Sequence, residues 1–179
     1  LPFSSLSDKL ELRLVILESI LWLGAKNEPV ISSAICADEL NKIISKKITQ
    51  INHSFTKKKG TIRGLHYQVK PFEEIKIILC IKGKIFDVMI NMNKKSKNYL
   101  KKKYTFLDSK RGDILIVPEK FAHGFQTLER NTEIIYFVTK NYSKKFEKQI
   151  NPFDPKLKIK WPYKISQISK KDKLSKHIK

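Results

Sequence analysis

The chain has 179 residues, of which 41% are hydrophobic, and a formal net charge of +20 at pH 7. Its length suffices for one domain with a hydrophobic core, and the lack of any run of about 18 apolar residues excludes a membrane-spanning helix. Such a positive charge is typical of proteins that bind nucleic acid or anionic membranes. However, the excess is almost entirely lysine, whereas proteins that read bases or grip phosphates favour arginine. We therefore expect neither nucleic acid nor a membrane as a partner.

Cysteine usage points to a reducing compartment. Cys36 and Cys80 are far apart and form no CxxC pair, and this predicts free thiols and a cytoplasmic location. Residues 14–23 are apolar enough to suggest a signal peptide, but Glu18 interrupts them and no small-residue cleavage site follows. The chain begins with Leu1 rather than methionine, which suggests a fragment.

The first 24 residues have the pattern of an amphipathic helix. Asp8 can cap its start, Glu11 completes a capping-box pattern, and Gly24 can end it. Leucines at helical spacing form one apolar stripe at positions 10, 14, 17 and 21. We expect residues 1–45 to be a divergent, helical N-terminal segment and residues 46–179 to form the main domain.

Polar residues then appear inside two predicted strands. Residues 48–55 alternate and place Gln50, Asn52 and Ser54 on one face, a pattern that a solvent-facing strand would also give. The strand that ends at residue 68 carries Arg63 and His66, which strict alternation places on opposite faces. A lone histidine at such a position is commonly a hydrogen-bonded core residue, and that interpretation stays open here.

The rest of the chain reads as short strands separated by turns, which predicts an all-β fold. Residues 75–82 and 84–91 form a hairpin around Gly83, and further strands are predicted at residues 104–107, 114–117 and 133–140. Four groups that can bind or move protons fall on separate predicted strands: His66, Lys76, His123 and Tyr136. A β-barrel would bring such positions together in one interior.

Several motifs together resemble one known family. Residues 63–68 (Arg-Gly-Leu-His-Tyr-Gln), residues 121–125 (Phe-Ala-His-Gly-Phe), Asp154-Pro155 and Trp161-Pro162 are similar to segments of the dTDP-4-dehydrorhamnose 3,5-epimerases. These are metal-free members of the cupin superfamily. The resemblance implies an antiparallel jelly-roll (double-stranded β-helix) barrel, a short C-terminal tail that is helical or extended, and a homodimer.

The resemblance also implies a reaction and its residues. The substrate would be a dTDP-linked 4-keto-6-deoxyhexose, inverted at C3 and C5 by proton abstraction, through an enolate, in dTDP-L-rhamnose biosynthesis. This chemistry needs a base, an acid on the opposite face of the sugar and a cation at the carbonyl oxygen. His66 would be the base, oriented by Asp172, with Tyr136 as the acid and Lys76 as the cation. Substrate binding would fall to Arg63, Gln50, Asn52, Ser54, His123, Tyr142 and Glu147.

No metal or other cofactor is expected. Of the metal ligands of ordinary cupins, only His66 and His123 are present, because Gln68 stands where the second histidine of the first motif would be. Two imidazoles without a placed carboxylate make a poor divalent site.

The chain also departs from the family pattern. Residues 25–45 lack the arginine that helps to hold the diphosphate, residues 91–93 (Asn-Met-Asn) replace an Asp-x-Arg pair, and Lys144 replaces a proline. Two alternatives therefore stay open. One is a related sugar-nucleotide enzyme, such as a C3-only or C5-only epimerase or a ketoisomerase. The other is a catalytically inactive cupin that binds polyanions.

Overall fold

The computed structural model describes residues 46–178 and, before them, the backbone of two strands, β1 (Arg13–Ile16) and β2 (Val30–Ser32). The other elements follow in chain order: β3 Gln50–Thr56, β4 Thr61–Gln68, β5 Lys76–Lys82, β6 Lys84–Asn91, β7 Lys102–Asp108, β8 Asp113–Val117, β9 Phe121–Thr127, β10 Thr132–Val138, β11 Glu147–Gln149, β12 Gln167–Ile168 and the short helix α1 Lys170–Lys173. None of the helices in this part of the chain is long and apolar enough to cross a membrane.

The strands form two sheets. The first sheet has the order β2-β1-β8-β5-β10-β3, and the second has the order β11-β4-β9-β6-β7 with β12 beside β4. The pairings are antiparallel except for β1 with β8 and β12 with β4. From β3 to β11 the chain alternates between the two sheets, with β6 and β7 as the one consecutive pair in the same sheet. The predicted antiparallel all-β jelly-roll fold is confirmed. The hairpin predicted around Gly83 is wrong, because β5 pairs with β8 and β10 whereas β6 pairs with β7 and β9.

The main core lies between the sheets. Ile78 and Leu115 of the first sheet pack with Met89 and Phe125 of the second, and all four side chains are buried. Each such side chain contributes about 1.5–3 kcal/mol by leaving water. Two positions along β5 from Ile78, the inward residue is Lys76, so the apolar filling ends there. The interior becomes a polar cavity at this end.

The structure of the N-terminal segment differs from the prediction. The helix predicted over residues 1–24 is wrong at Arg13–Ile16, which form β1 and pair with both β2 and β8. The remainder of that range lies outside the described residues. Helical leucine spacing is a weak signal, because pairing with an existing sheet edge satisfies the backbone and can override it. At the other end of the chain, the predicted short tail is present as β12 and α1.

Strand β3 presents its polar side chains inward and its apolar ones outward. Ile51 is 64% exposed and Phe55 is 50% exposed, whereas Asn52 and Ser54 line the interior. The solvent-facing interpretation of the polar alternation is therefore wrong. Burying unpaired polar side chains is costly, so this inward polar face indicates that the interior here contains polar partners or a polar ligand.

Candidate active site

The polar end of the barrel is a cavity with two connected lobes, each of about 270 Å³. His66, Lys76 and Tyr136 line both lobes. The first lobe adds Gln50, Asn52, Tyr142 and Glu147, and the second adds Ser54, Arg63, His123 and Asp172. The structure thus brings all of the sequence-predicted site residues to one cavity.

A bulge in β4 explains why Arg63 and His66 share this cavity. Arg63 pairs with Phe125 and His66 with His123, so two residues of β4 oppose the single residue Gly124 of β9. An extra residue in one strand reverses the inward and outward alternation beyond it. The prediction that Arg63 points away from the face of His66 was therefore wrong. Arg63 is held by Nε, which donates to Thr56 Oγ1 at 3.1 Å.

His66 and Asp172 form a close polar pair in the second lobe. Nε2 of His66 lies 2.6 Å from Oδ1 of Asp172, although the two residues are separated by 106 positions in sequence. The pairing of β12 with β4 returns the C-terminal segment to this point, and Ser169 caps α1 so that Asp172 faces the cavity. The second oxygen of Asp172 accepts a hydrogen bond from the backbone of Gly64 at 3.3 Å.

These contacts fix the tautomer of His66. Burial opposes ionisation of Asp172, but the hydrogen bonds and charge of His66 outweigh it and lower the pKa of the carboxyl. An ionised carboxylate only accepts hydrogen bonds, so Nε2 of His66 must carry the proton. Nδ1 then keeps its lone pair, and it lies 4.0 Å from Oε1 of Glu147, which would stabilise a proton arriving there.

Tyr136 and Lys76 stand on the opposite sheet. Tyr136 is on β10 and Lys76 on β5, which are neighbours in the first sheet, whereas His66 belongs to the second. Burial raises the pKa of Tyr136, the negative charge of Glu74 raises it further, and Arg63 opposes both. The phenol therefore stays a proton donor over the neutral pH range.

His123 is the second histidine of the cavity, and its side chain is 13% exposed. Its Nδ1 lies 3.3 Å from Oδ2 of Asp87. Burial lowers the pKa of His123, and the positive charge of Lys76 lowers it further, while Asp87 opposes both. Because the Asp87 carboxylate accepts, the single proton of a neutral His123 lies on Nδ1, and Nε2 is left as a hydrogen-bond acceptor.

The first lobe ends in a hydrogen-bonded group of polar residues. Oε1 of Gln50 accepts from the backbone of Tyr142 at 3.2 Å, and the Tyr142 hydroxyl donates to Oε2 of Glu147 at 3.1 Å. Lys171 donates to the same carboxylate oxygen at 2.7 Å. Burial opposes ionisation of Glu147, but Lys171 and His66 reverse the effect and lower the pKa of its carboxyl. The group is an acceptor-rich surface suited to the polar edge of a bound ring.

Sequence reasoning missed Glu74, Asp87 and Lys171 as parts of the site. Asp87 had a usable signal, since it interrupts the otherwise apolar strand β6 and is completely buried. Glu74 gave none, because it follows a loop rich in charged residues, where a carboxylate is ordinary. Lys171 lies in a lysine-rich tail and could be found only from its contact with Glu147.

The geometry of the cavity also bears on whether its residues could hold a metal ion. Among the residues that the structure describes, no three His, Cys, Asp or Glu side chains are grouped to hold a metal ion. His66 and His123 each face a carboxylate through one ring nitrogen.

Comparison with known proteins gives the family. The sequence profile described as dTDP-4-dehydrorhamnose 3,5-epimerase matches residues 30–179. The chain belongs to this family. The dTDP-4-dehydrorhamnose 3,5-epimerase of Sinorhizobium fredii is 38% identical over 126 residues, which are 70% of this chain and 65% of that protein.

Solved structures of the family agree with the fold. The dTDP-4-dehydrorhamnose 3,5-epimerase of Bacillus anthracis, with TDP and PPi bound, matches with a TM-score of 0.77 and 30% identity over 87% of this chain and 89% of that chain. The dTDP-6-deoxy-D-glucose-3,5-epimerase of Legionella pneumophila, in complex with dTDP-4-keto-L-rhamnose, matches with a TM-score of 0.75 and 28% identity over 86% and 82%.

Proposed function

We propose that the protein inverts C3 and C5 of a dTDP-linked 4-keto-6-deoxyhexose by removing and returning protons next to the C4 carbonyl. The observation that carries the proposal is the His66–Asp172 pair, which faces Tyr136 and Lys76 across one cavity in a member of this family. Both C3 and C5 flank C4, so one base, one acid and one enolate-stabilising group can serve both inversions.

His66 acts as the base through Nδ1. Its Nε2–H is held by Asp172 at 2.6 Å, which leaves the other ring nitrogen free to take a proton from carbon. The imidazolium that forms is stabilised by Asp172 on one side and by Glu147 on the other. A positioned base of this kind contributes about 100- to 10,000-fold in rate.

Lys76 stabilises the enolate oxygen at C4. Its side chain is only 12% exposed, so its positive charge acts in a cavity that excludes most water. His123 lines the same lobe and binds the sugar, with its Nε2 as a hydrogen-bond acceptor. Tyr136 then delivers a proton from the face of the first sheet, opposite to the face that His66 attacks, and this inverts the carbon.

The two lobes divide the substrate between them. The first lobe, with Gln50, Tyr142 and Glu147, takes the nucleotide base, and Arg63 with the inward face of β3 takes the sugar and diphosphate. Lys171 supplies a second positive charge at the mouth. This cation stands in the same cavity as Arg63 and offsets the arginine that residues 25–45 lack.

The direct test is conversion of dTDP-4-keto-6-deoxyhexose by the purified protein, with the product assigned from its ring proton couplings. Inversion at both carbons is the expected result. Inversion at one carbon alone would replace the proposal with a C3-only or C5-only epimerase. Movement of the carbonyl would identify a ketoisomerase, and no reaction would leave the inactive cupin.

Activity should survive exhaustive treatment with a chelator, because the proposed charge stabilisation at the enolate oxygen comes from Lys76. The measurement is the turnover of chelated protein against untreated protein, with excess chelator removed before assay. Loss of turnover that one added divalent ion restores would contradict the proposal.

We also propose a homodimer formed through the outer face of the first sheet. Ile51 and Phe55 are exposed there, and the adjacent outward residues Leu79 and Phe137 belong to a third apolar cluster with Ile77. An apolar patch of this kind on the surface favours association, and its regular sheet surface suits a second copy related by a two-fold axis.

Replacing Ile51 and Phe55 together with lysine should convert the dimer to a monomer, because charges would face each other across the apolar contact. Light scattering after size-exclusion chromatography measures the mass. The matched control is Tyr104→Lys together with Phe106→Lys on β7 of the other sheet, which should leave the dimer intact. A wild-type protein with the mass of one chain would overturn the proposal.

We also propose a domain boundary and a cellular compartment. We propose a barrel domain over residues 46–179, to which β1 and β2 add at one end of the first sheet. A cytoplasmic location is supported by the free thiol of Cys80, which is buried in the core.

A further inference from the structure

The cavity contains a buried carboxylate that the proposed reaction does not use. Glu74 is 9% exposed and lines the first lobe. Its Oε1 lies 3.3 Å from Nζ of Lys76, and its Oε2 accepts a hydrogen bond from Nε2 of Gln68 at 3.1 Å. Burying a carboxylate is costly unless its oxygens are paired, and here both oxygens have partners.

Gln68 connects this carboxylate to the segment that carries Tyr142. Its Oε1 accepts from the backbone N–H of Ser143 at 2.6 Å, and its Nε2 lies 3.3 Å from the carbonyl oxygen of Asn141. Tyr142 lies between these two residues. A continuous set of hydrogen bonds therefore runs from the backbone beside Tyr142, through Gln68 and Glu74, to the ammonium group of Lys76.

We propose that Glu74 is a positioning residue that holds the Lys76 ammonium at the reacting end of the cavity and fixes it relative to the Tyr142 segment. The inference rests on the proposed function, in which Lys76 stabilises the enolate oxygen and Tyr142 contacts the nucleotide. The geometry supplies a reason for a carboxylate next to a catalytic cation. A free lysine side chain has many rotamers, and holding it in one place before the reaction removes that cost from the transition state.

The charge of Glu74 also reaches Tyr136, since burial and then Glu74 raise the pKa of that phenol. The other charged or titratable side chains that line the cavity around Tyr136 are Arg63, His66, Tyr67, Lys76, His123, Tyr142, Glu147, Lys171 and Asp172. Removing the charge of Glu74 therefore lowers the pKa of Tyr136. Because Tyr136 must be protonated to act as an acid, the high-pH loss of activity moves to lower pH in Glu74→Gln.

The test uses Glu74→Gln, which keeps the shape and removes the charge, and Glu73→Gln as the matched control. Glu73 is the neighbouring carboxylate and lines neither lobe. We expect Glu74→Gln to lower kcat about 10- to 100-fold with little change in KM, and to shift the high-pH limb downward. In a Lys76→Ala background, the same substitution should change kcat less than about twofold. Glu73→Gln should match the wild type in every assay.

A readout without turnover separates this inference from the proposed function. The ζ-ammonium signal of Lys76 should be visible by ¹⁵N NMR in the wild type, where the group is hydrogen-bonded and shielded, and lost in Glu74→Gln. A wild-type protein that shows this signal but no epimerisation would overturn the function and keep the positioning contact. A Glu74→Gln effect that is equally large in the Lys76→Ala background, or an unchanged ammonium signal, would overturn the positioning role.

Discussion

The His66→Ala variant should lose epimerisation by about 100- to 10,000-fold while it keeps its fold. His66 is the described histidine whose ring is held by a buried carboxylate at 2.6 Å and whose other nitrogen faces the cavity. Its side chain is 30% exposed, so removing it leaves a solvent-accessible space rather than a void in the core. Turnover and thermal unfolding, measured on the same preparation, separate loss of the base from loss of the fold.

A matched control exists for this variant. His53 lies on the outer face of β3, with a side chain that is 53% exposed and paired with Glu133. His53→Ala should retain wild-type turnover. The assignment of His66 as the base would be wrong if His66→Ala kept more than about a hundredth of wild-type turnover.

The Tyr136→Phe variant should exchange substrate hydrogen for deuterium faster than it inverts the substrate. The ring still packs, but the phenolic proton donor is lost. His66 can still remove a proton, and the enolate is then reprotonated mainly on the face that it left. The measurement compares, in deuterated water, the rate of deuterium uptake at C3 and C5 with the rate of product formation.

The acid role proposed for Tyr136 depends on its lying on a different sheet from His66. Tyr136 comes from β10 of the first sheet and His66 from β4 of the second, so the proposed acid and base approach the sugar from different walls. Tyr104→Phe, on the outer side of β7, is the control and should behave as the wild type. Equal losses of exchange and inversion in Tyr136→Phe would show that the phenol is not a separate acid.

Most of the barrel could be predicted from local patterns. The alternation of β3 and the bounds of β6, Lys84–Asn91, follow from residue period alone. The hairpin predicted around Gly83 was wrong, because turn chemistry shows that the chain turns there but not that β5 and β6 enter different sheets. The bulge in β4 could not be predicted in this way, because it depends on how β4 meets β9 and on Gly124 opposite. The face of Arg63 was therefore missed.

The residues of the candidate site were likewise predictable only where a local sequence pattern revealed them. Polar residues inside strands marked His66 and His123 from the sequence, because a buried polar group needs a partner. Their partners were beyond local reasoning: Asp172 lies 106 positions from His66, and resemblance to the family, not physical chemistry, singled it out. Glu74 and Lys171 had neither signal, since charged residues in a loop or a tail are ordinary.

The most direct test of the central claim is proton NMR of dTDP-4-keto-6-deoxyhexose with the wild-type protein in deuterated water. One base and one acid that act on both carbons next to C4 predict that the H3 and H5 signals both disappear as the inverted product forms, with one deuterium retained at each carbon. Inverted product that keeps its original hydrogen at C3 or C5, or a substrate left unchanged by active, folded protein, would contradict the account.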